Sequence, residues 1–182
     1  HLTELIESGK MELDYLDSVL DELARAENAR ELSEIRAELV DSGYMRDGKH
    51  GKKEIRQALG PMRFKSDTGF IIRVGRNNLE NDTLTMKNSA KSDMWLHAQK
   101  IHGSHAIISC NGATPDERTI NQAAAIAAYY SQGRNSGQVP VDYTLVKYVK
   151  KPSGARPGMV IYTDQRTLYV KPDKELIERL RL

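Results

Sequence analysis

One long helix is predicted by residues 114–133, TPDERTINQAAAIAAYYSQG, in this chain of 182 residues. Thr114 is the expected N-cap, Pro115 suits the first turn, and the two acids that follow face the positive end of the helix dipole. The alanine-rich body leaves a smooth surface that can lie close to a sheet, and Gly133 is expected to end the helix. We therefore expect one face of a sheet to be covered by this helix.

Short apolar runs on both sides of the helix predict strands. They lie at residues 70–74, 83–86, 94–97 and 105–108 before the helix, and at 141–149, 159–163 and 167–170 after it. Asp173 is expected to cap a terminal amphipathic helix. Strands that precede and follow one long helix predict an α+β fold with a mainly antiparallel sheet.

Residues 2–41 are expected to be helical. Leu13, Leu16, Leu20 and Leu23 have the 3-4-3 spacing of a coiled-coil seam, which repeats after a break at residues 27–31, where we expect a bend or a loop. The stripe needs a partner, which is a missing antiparallel helix, the following domain or a second copy of the chain. We predict three parts: an acidic helical segment (1–42), a basic flexible linker (43–61) and a folded domain (62–182).

The charge is divided between these parts. Residues 1–42 carry 12 acidic and 4 basic side chains, and the remainder carries 13 acidic and 23 basic ones, so the net charges are −8 and +10. A basic domain of this kind suits a polyanion such as RNA, and two solvated surfaces without a partner are the alternative. The glycine-rich basic linker either follows a phosphate backbone or is a solvated hinge.

Several features exclude other classes of protein. No run approaches 18 apolar residues, so we expect no transmembrane helix and no membrane partner. Cys110 is the single cysteine, which excludes an internal disulfide and fits a reducing compartment. The chain begins at His1 without a signal-like segment, so we expect a fragment of a longer cytoplasmic protein.

Three groups of residues could bind RNA. The first is the turn-rich run 75–82, in which Arg76 offers a fork for phosphate while Asn77, Asn81 and Asp82 either contact sugar or base edges or only support turns. The second comprises Asp93, Trp95, His97, Ser104 and His105, which either stack on bases or brace the strands. We place the face of Trp95 and His97 outward, because Met94 and Leu96 are better core residues.

The third group consists of the cationic residues Lys147, Lys150 and Lys151. They either bind a row of backbone phosphates or protect an edge strand from pairing with another chain. A zinc site or a histidine-dependent hydrolase would need ligand or nucleophile spacings that the histidines lack. We therefore expect no catalytic residues, no metal and no cofactor.

These motifs together resemble the NFACT family. The resemblance rests on Gly75-Arg76-Asn77-Asn78 with Asn81-Asp82, Asp93-x-Trp95-Leu96-His97, Gly103-Ser104-His105, Val141-Asp142-Tyr143-Thr144 with Lys147, Lys151-Pro152 and Pro157-Gly158. It covers residues 62–170 as the RNA-binding module called NFACT-R, and the acidic segment resembles part of the coiled-coil middle region of the family.

The resemblance implies an RNA-binding function. Bacterial members are RqcH-type ribosome quality-control factors, which bind the large ribosomal subunit and tRNA and support mRNA-independent alanine tailing of stalled chains. The ribosome makes the peptide bonds, so the factor is not expected to be an enzyme. Many members are historically called fibronectin-binding protein A, so an adhesin that binds fibronectin is the alternative, and a homodimer through the helical segment is a further expectation.

Overall fold

The structure is a computed structural model, and it describes residues 2–46 and 59–182. Two helices come first, α1 (Leu2–Arg25) and α2 (Ala29–Asp41). Asn28 separates them, because its side chain accepts the N–H groups of Arg30 and Glu31 at 3.1 and 3.0 Å and so caps α2. The predicted break is therefore confirmed. Residues 47–58 of the predicted linker lie outside the described residues, so the linker and the domain boundaries stay predictions.

The rest of the chain alternates short strands with helices. These are β1 (Met62–Lys65), β2 (Ile71–Val74), α3 (Asn78–Asp82), β3 (Met94–Ala98), β4 (Ala106–Ser109), α4 (Glu117–Tyr129), β5 (Val139–Leu145), β6 (Val149–Lys150), β7 (Ile161–Tyr162), β8 (Arg166–Val170) and α5 (Lys174–Leu180). The predicted α+β class is confirmed, and so is the cap at Asp173, whose side chain accepts the N–H of Leu176 at 3.1 Å.

Six strands form the main sheet in the order β1-β2-β4-β3-β5-β8, and every neighbouring pair is antiparallel. Strand β3 lies inside the sheet, where Trp95 is opposite Ile107 of β4 on one side and Thr144 of β5 on the other. Strands β6 and β7 form a separate two-stranded sheet. The predicted antiparallel sheet is confirmed, and its centre is the strand that carries the Trp-His motif.

Both faces of the main sheet are covered. The first core lies under α4 and α5 and includes Phe64, Ile72, Leu96, Ile108 and Ile126. The second core, on the opposite face, consists of Leu84, Trp95, Ile107, Val146 and Val149. Because successive residues of a strand point to opposite faces, Trp95 and Leu96 enter different cores.

One predicted strand is wrong. Residues 83–86 alternate in hydrophobicity, but they lie in a π-helical turn (Thr83–Lys87) that continues α3. The Asn77 side chain accepts the N–H of Glu80 at 2.9 Å and starts this helical segment. The cap therefore overrides a four-residue strand pattern, and Leu84 still reaches the second core.

The start of α4 and the course of residues 141–149 also differ from expectation. Asp116, rather than Thr114, is the N-cap of α4, and its side chain accepts the N–H of Thr119 at 2.9 Å. The predicted strand at 141–149 is interrupted by a 3-10 turn (Val146–Tyr148) between β5 and β6. The Lys147 and Tyr148 side chains therefore do not alternate across a strand.

The first two helices pack through an unexpected face. Tyr15, Val19 and Ile35 form a small core between them, whereas Leu13 and Leu20 of the leucine stripe are 69% and 62% exposed. The predicted seam is thus only partly packed: Leu16 and, from α2, Ile35 and Leu39 lie in or against this core, whereas Leu13, Leu20 and Leu23 are exposed. No helix in the described ranges is long and apolar enough to cross a lipid bilayer.

Candidate nucleic-acid interface

The turn at residues 75–82 holds two strands in place. Gly75 donates its N–H to the carbonyl of His105 at 3.1 Å, and the Asn81 side chain accepts the N–H of His105 at 3.0 Å. A Cβ at Gly75 would collide with the Asn81 side chain, so only glycine allows this close approach. Asn77 and Asn81 are buried and serve the fold, and their contact with RNA stays a prediction.

Trp95 lies at the centre of an aromatic cluster in the second core. His97 stacks on its ring with centroids 5.7 Å apart, His105 meets it edge-on at 5.3 Å, and Tyr162 lies at 4.7 Å. Trp95 is 0% exposed, and His97 is half-buried. The expected outward face of Trp95 is therefore wrong, because the helix α3 region and the β6–β7 sheet cover this side as α4 covers the other.

The environment of the two histidines in the cluster favours their neutral form. Burial lowers the pKa of His97, and burial together with the neighbouring His97 lowers the pKa of His105 well below its usual value. His105 Nδ1 lies 2.8 Å from Thr85 Oγ1, and His97 Nε2 donates to the carbonyl of Gly103 at 3.3 Å. The cluster therefore offers flat neutral rings and no positive charge for a phosphate.

Asp93 braces three segments of backbone. One of its carboxylate oxygens accepts the N–H of Cys110 at 2.9 Å, and the other accepts the N–H of Ala90 at 2.9 Å. Arg73 lies 3.5 Å from the second oxygen. The side chain is buried, so the structure gives it a bracing role, and its contact with RNA stays a prediction.

The α1–α2 pair is docked on the predicted RNA-binding residues. Arg76 donates to Glu31 at 2.6 Å, Asn77 donates to Glu34 at 3.3 Å, and Ser104 accepts a hydrogen bond from Arg25 at 3.0 Å. Asn78 continues this row by donating to Ser18 at 2.9 Å. None of these partners was predicted from the sequence. The acidic helices thus occupy the fork of Arg76, which was expected to bind phosphate.

Two buried carboxyl groups lie where the helices meet the domain. Burial and the nearby Glu38 raise the pKa of Glu22 to about 9, and burial raises the pKa of Glu38. Glu38 accepts a hydrogen bond from Tyr15 at 2.8 Å. The spacing of Tyr15, Val19 and Glu22 on one helical face was the signal that could have revealed this surface.

The cationic residues divide into two kinds. Lys151 pairs with Asp82, which also accepts the N–H of Gly158 at 2.9 Å and so fixes a loop. Lys147 and Lys150 are exposed, and neither forms an ion pair with any residue in the described ranges. They remain available to a polyanion.

Two neighbouring lysines extend this exposed charge. The carbonyl of Lys91 accepts the N–H of Lys147 at 3.1 Å, and Lys87 precedes Lys91 in the chain as the last residue of the π-helical turn. We call the exposed side chains Lys87, Lys91, Lys147 and Lys150 the lysine patch. Tyr148 lies beside it, with its ring centroid 4.8 Å from the Lys147 ammonium.

An open cavity of about 460 Å³ lies between α1 and the second face of the sheet. Its walls include Glu22 from α1, Trp95 and His97 from β3, and Tyr162 from β7. The volume lies within the range of about 300–1,000 Å³ that is usual for ligand pockets. No three His, Cys, Asp or Glu side chains in the part of the chain that the structure describes are placed to hold a metal ion.

Two protein families match the chain in sequence. Residues 61–164 match the family described as NFACT protein RNA binding domain, and residues 1–58 match the family described as NFACT N-terminal and middle domains. The boundary between the two matches lies close to the beginning of β1.

Individual proteins are also similar to the chain in sequence. The chain is 41% identical over 180 residues to Rqc2 homolog RqcH of Bacillus subtilis and 44% identical over 181 residues to Rqc2 homolog RqcH of Streptococcus pneumoniae. These alignments cover 98% and 100% of this chain but only 31% and 32% of the relatives. The chain thus spans about a third of their length.

A solved structure has the same fold. It is described as the C-terminal of the fibronectin/fibrinogen-binding protein from Streptococcus suis, and it superposes with a TM-score of 0.94 at 41% identity. The match covers 100% of this chain and 72% of that structure. Both the helical pair and the sheet therefore have a counterpart in it.

Proposed function

The chain belongs to the NFACT family, and from this membership we propose that it is the RNA-binding part of a ribosome quality-control factor. In this proposal it binds the large ribosomal subunit and tRNA in the cytoplasm and supports the addition of alanine tails to stalled chains. It does so as a binding factor, while the ribosome makes the peptide bonds.

The observation that carries the RNA-binding proposal is the lysine patch. Lys87, Lys91, Lys147 and Lys150 are exposed and form no ion pairs with the described residues, whereas Arg76 and Lys151 are already paired within the chain. Phosphates supply most of the affinity in non-specific nucleic-acid binding, and free lysines release the counterions of the RNA. The patch is therefore the surface that we expect to contact the backbone.

The buried motif residues have a different part in this proposal. Asn77, Asn81, Asp93, Trp95, Ser104 and His105 hold the sheet, its turns and the docked helices in position. A rigid support favours RNA contact by the lysine patch, because side chains that are already in position lose less conformational freedom on binding. In this proposal the buried motif residues support RNA binding by keeping the domain folded beneath the lysine patch.

The test is a titration of labelled tRNA with the chain at about 50 and about 200 mM salt. The double change Lys147→Ala and Lys150→Ala should weaken binding and reduce the slope of log K against log salt by about two. The matched control, Lys171→Ala with Lys174→Ala, removes the same charge from exposed positions around α5 and should leave the slope nearly unchanged. Equal effects of the two pairs would contradict a defined lysine patch.

Ribosome binding needs its own measurement. The chain should sediment with large ribosomal subunits at low salt, and the Lys147→Ala and Lys150→Ala change should reduce the bound fraction. Binding that is equal for large and small subunits would show only a general affinity for RNA and would contradict the specific part of the proposal.

A second candidate function is favoured by one observation. The Streptococcus suis structure that superposes at a TM-score of 0.94 is described as part of a fibronectin/fibrinogen-binding protein. Binding of the chain to immobilised fibronectin, with bare and albumin-coated surfaces as controls, tests this function. Saturable binding that persists at high salt would support it, and its absence would leave RNA as the ligand.

A further inference from the structure

A second depression, which we call the tyrosine groove, opens at one end of the main sheet on the face that α4 covers. Its floor includes Met94 of β3 and the opposite residue Leu145 of β5, and Tyr143 shares their face of the sheet. The start of α4, the 3-10 turn after β5 and the segment that leads into β8 complete its walls. Its volume of about 530 Å³ lies within the range of about 300–1,000 Å³ that is usual for ligand pockets. The cavity beneath α1 lies on the other face of the sheet, so the two are separate.

The aromatic and charged groups of the tyrosine groove can be reached from solvent. Tyr143 and Tyr148 are half-buried, and Arg166 is exposed. Neither tyrosine hydroxyl has a hydrogen-bond partner among the described residues, and neither is enclosed by the protein. Arg166 forms no ion pair within the described ranges. The groove therefore offers a ligand aromatic surface, two hydroxyls and a cation.

The tyrosine groove adjoins the lysine patch through Tyr148. The Lys147 ammonium lies 4.8 Å from the centroid of the Tyr148 ring, and Tyr148 lines the groove whereas Lys147 does not. The ring therefore lies between the ammonium and the groove. On the side of β8, Arg166 is opposite Tyr143 in the pairing with β5, so a cation is also present there. Positive charge thus flanks an aromatic and apolar floor.

This combination of charge and aromatic surface fits single-stranded RNA. Proteins that bind single strands combine cations along the backbone with aromatic rings on which bases stack. A base within a duplex cannot enter such a groove, because its faces are stacked on neighbours and its edge is paired. An apolar side chain of a protein would suit Met94 and Leu145, but it would leave Lys147 and Arg166 without an opposite charge.

Two acids restrict how the RNA can lie. Glu117 at the start of α4 and Asp164 before β8 both line the groove, and Asp164 accepts the Thr163 hydroxyl at 2.8 Å. A carboxylate accepts a hydrogen bond from an amino or ring N–H of a base, but it repels a phosphate. A base should therefore lie beside these acids, and the phosphates should lie toward Lys147 and Arg166.

We propose that the tyrosine groove binds one unpaired base of single-stranded RNA, which stacks on Tyr148 while the flanking phosphates contact Lys147 and Arg166. The inference rests on the proposed RNA-binding function and deepens it. The lysine patch contacts phosphates, which single and double strands both have. The tyrosine groove adds a contact that only an unpaired base can make.

The experiment compares three ligands in anisotropy titrations with the whole chain. The first is a labelled RNA of about ten nucleotides, which is within the usual site size of single-strand binding folds. The second is the same strand annealed to its complement, and the third is an abasic ribose-phosphate chain of equal length. At one fixed salt concentration, the single strand should bind about fivefold or more tightly than the abasic chain, because one base–aromatic stack contributes at least that much.

Variants of one tyrosine assign this difference to the groove. Tyr148→Leu keeps an apolar side chain without a ring, and it should weaken single-strand binding about fivefold or more. Unchanged affinities for the duplex and the abasic chain would show that this variant still folds. Tyr148→Phe should bind as the unchanged chain does. Tyr169→Leu, at an exposed tyrosine of β8 outside the groove, should leave all three affinities unchanged.

The phosphate contact on the side of β8 has its own variant. Arg166→Ala should reduce the slope of log K against log salt for the single strand by about 0.7, the value for one phosphate contact with a single strand. Lys65→Ala removes an equal charge from an exposed position of β1, and it should leave that slope nearly unchanged. Equal effects of the two substitutions would contradict the phosphate contact of Arg166.

The outcomes separate this inference from the proposed function. Salt-dependent binding of RNA that Tyr148→Leu weakens equally for all three ligands, or for none, would overturn the base site and leave the RNA-binding function standing. The absence of binding to any of these ligands and to tRNA at low salt would contradict both. A Tyr148→Leu chain that keeps its single-strand affinity but no longer sediments with ribosomal subunits would assign the groove to a protein partner and overturn the proposal.

Discussion

Arg76 and Glu31 join the domain to the second helix by a half-buried ion pair, in which the guanidinium donates to the carboxylate at 2.6 Å. Arg76 also donates to the carbonyl of Gly60 at 3.0 Å, and Glu31 accepts the N–H of Glu27 at 2.7 Å. One guanidinium therefore connects α2, the start of β1 and the turn before α3. Such a group is costly to remove, because each partner is left without its counterpart.

Arg76→Ala should weaken the docking of the helical pair. It leaves Glu31, which is 7% exposed, without its cation, and we expect a loss of about 1–3 kcal/mol in unfolding free energy. Amide hydrogen exchange should increase throughout α2. Arg118→Ala removes one of the two arginine partners of Asp67 at a side chain that is 67% exposed, and it should change the unfolding free energy by at most about 0.5 kcal/mol. Equal effects of the two substitutions would contradict the role assigned to Arg76.

The stability of the chain should fall as pH rises above the usual range of carboxylate titration. The pKa of Glu22 is raised from 4.5 to about 9, so the folded chain holds a proton that the unfolded chain has already lost in this interval. The unfolding free energy then decreases by at most about 1.4 kcal/mol per pH unit from this group. Glu38, whose pKa is also raised, acts in the same direction.

Denaturant unfolding at about pH 7.5 and about pH 8.5 measures this slope, because both pH values lie above the range in which His97 and His105 titrate in the unfolded chain. Glu22→Gln should flatten it, because the amide does not titrate. Glu7→Gln, at an exposed position of α1, should keep the slope of the unchanged chain. A stability that rises between these two pH values would show that Glu22 is ionised in the folded chain.

Trp95→Ala should destabilise the fold rather than only reduce RNA binding. Removal of this fully buried ring from the second core should cost about 3–5 kcal/mol, and Trp95→Phe should cost less because most of the ring volume remains. Tyr169→Ala, at a residue that is 66% exposed, should stay within about 0.5 kcal/mol. Circular dichroism during denaturant unfolding gives the three values, and a Trp95→Ala chain of unchanged stability would refute the buried placement.

Val19 and Leu20 test which face of α1 is packed. Val19 is 3% exposed and Leu20 is 62% exposed, so Val19→Ala should destabilise the chain by about 1–2 kcal/mol and Leu20→Ala by at most about 0.5 kcal/mol. Sedimentation of both variants adds the oligomeric state. A dimer that dissociates in Leu20→Ala would support the predicted homodimer through the leucine stripe.

The elements that sequence patterns predicted well are those with independent local signals. Residues 94–97 have the composition of a short strand, and Asp173 has the side chain of a cap, so both elements can be predicted from nearby residues alone. Residues 83–86 also form a strand-like pattern, but the cap at Asn77 decides their conformation from six residues upstream. A prediction made from residues 83–86 alone therefore does not include the effect of the Asn77 cap.

The candidate site was harder to predict, because burial depends on what covers a sheet. Trp95 and His97 point to the face that an antiparallel sheet often exposes, and only the presence of α3, β6 and β7 makes it a second core. The leucine spacing of α1 likewise suggested the wrong inner face. Glu22 and Glu38 belong to a residue type that is seldom buried, and nothing in their sequence context signals that the fold buries both.

Helix α1 packs on the domain through its C-terminal half, and its N-terminal half extends beyond these contacts. Its 24 residues extend about 36 Å at 1.5 Å per residue, and ion pairs and hydrogen bonds with the sheet domain occur between Asp14 and Arg25. A rotation of about 10° at Arg25 would therefore displace Leu2 by about 6 Å, given that helix rise. A tilt of the N-terminal half of α1 would therefore change the geometry of the Arg25–Ser104 hydrogen bond, which lies next to His105 in the chain.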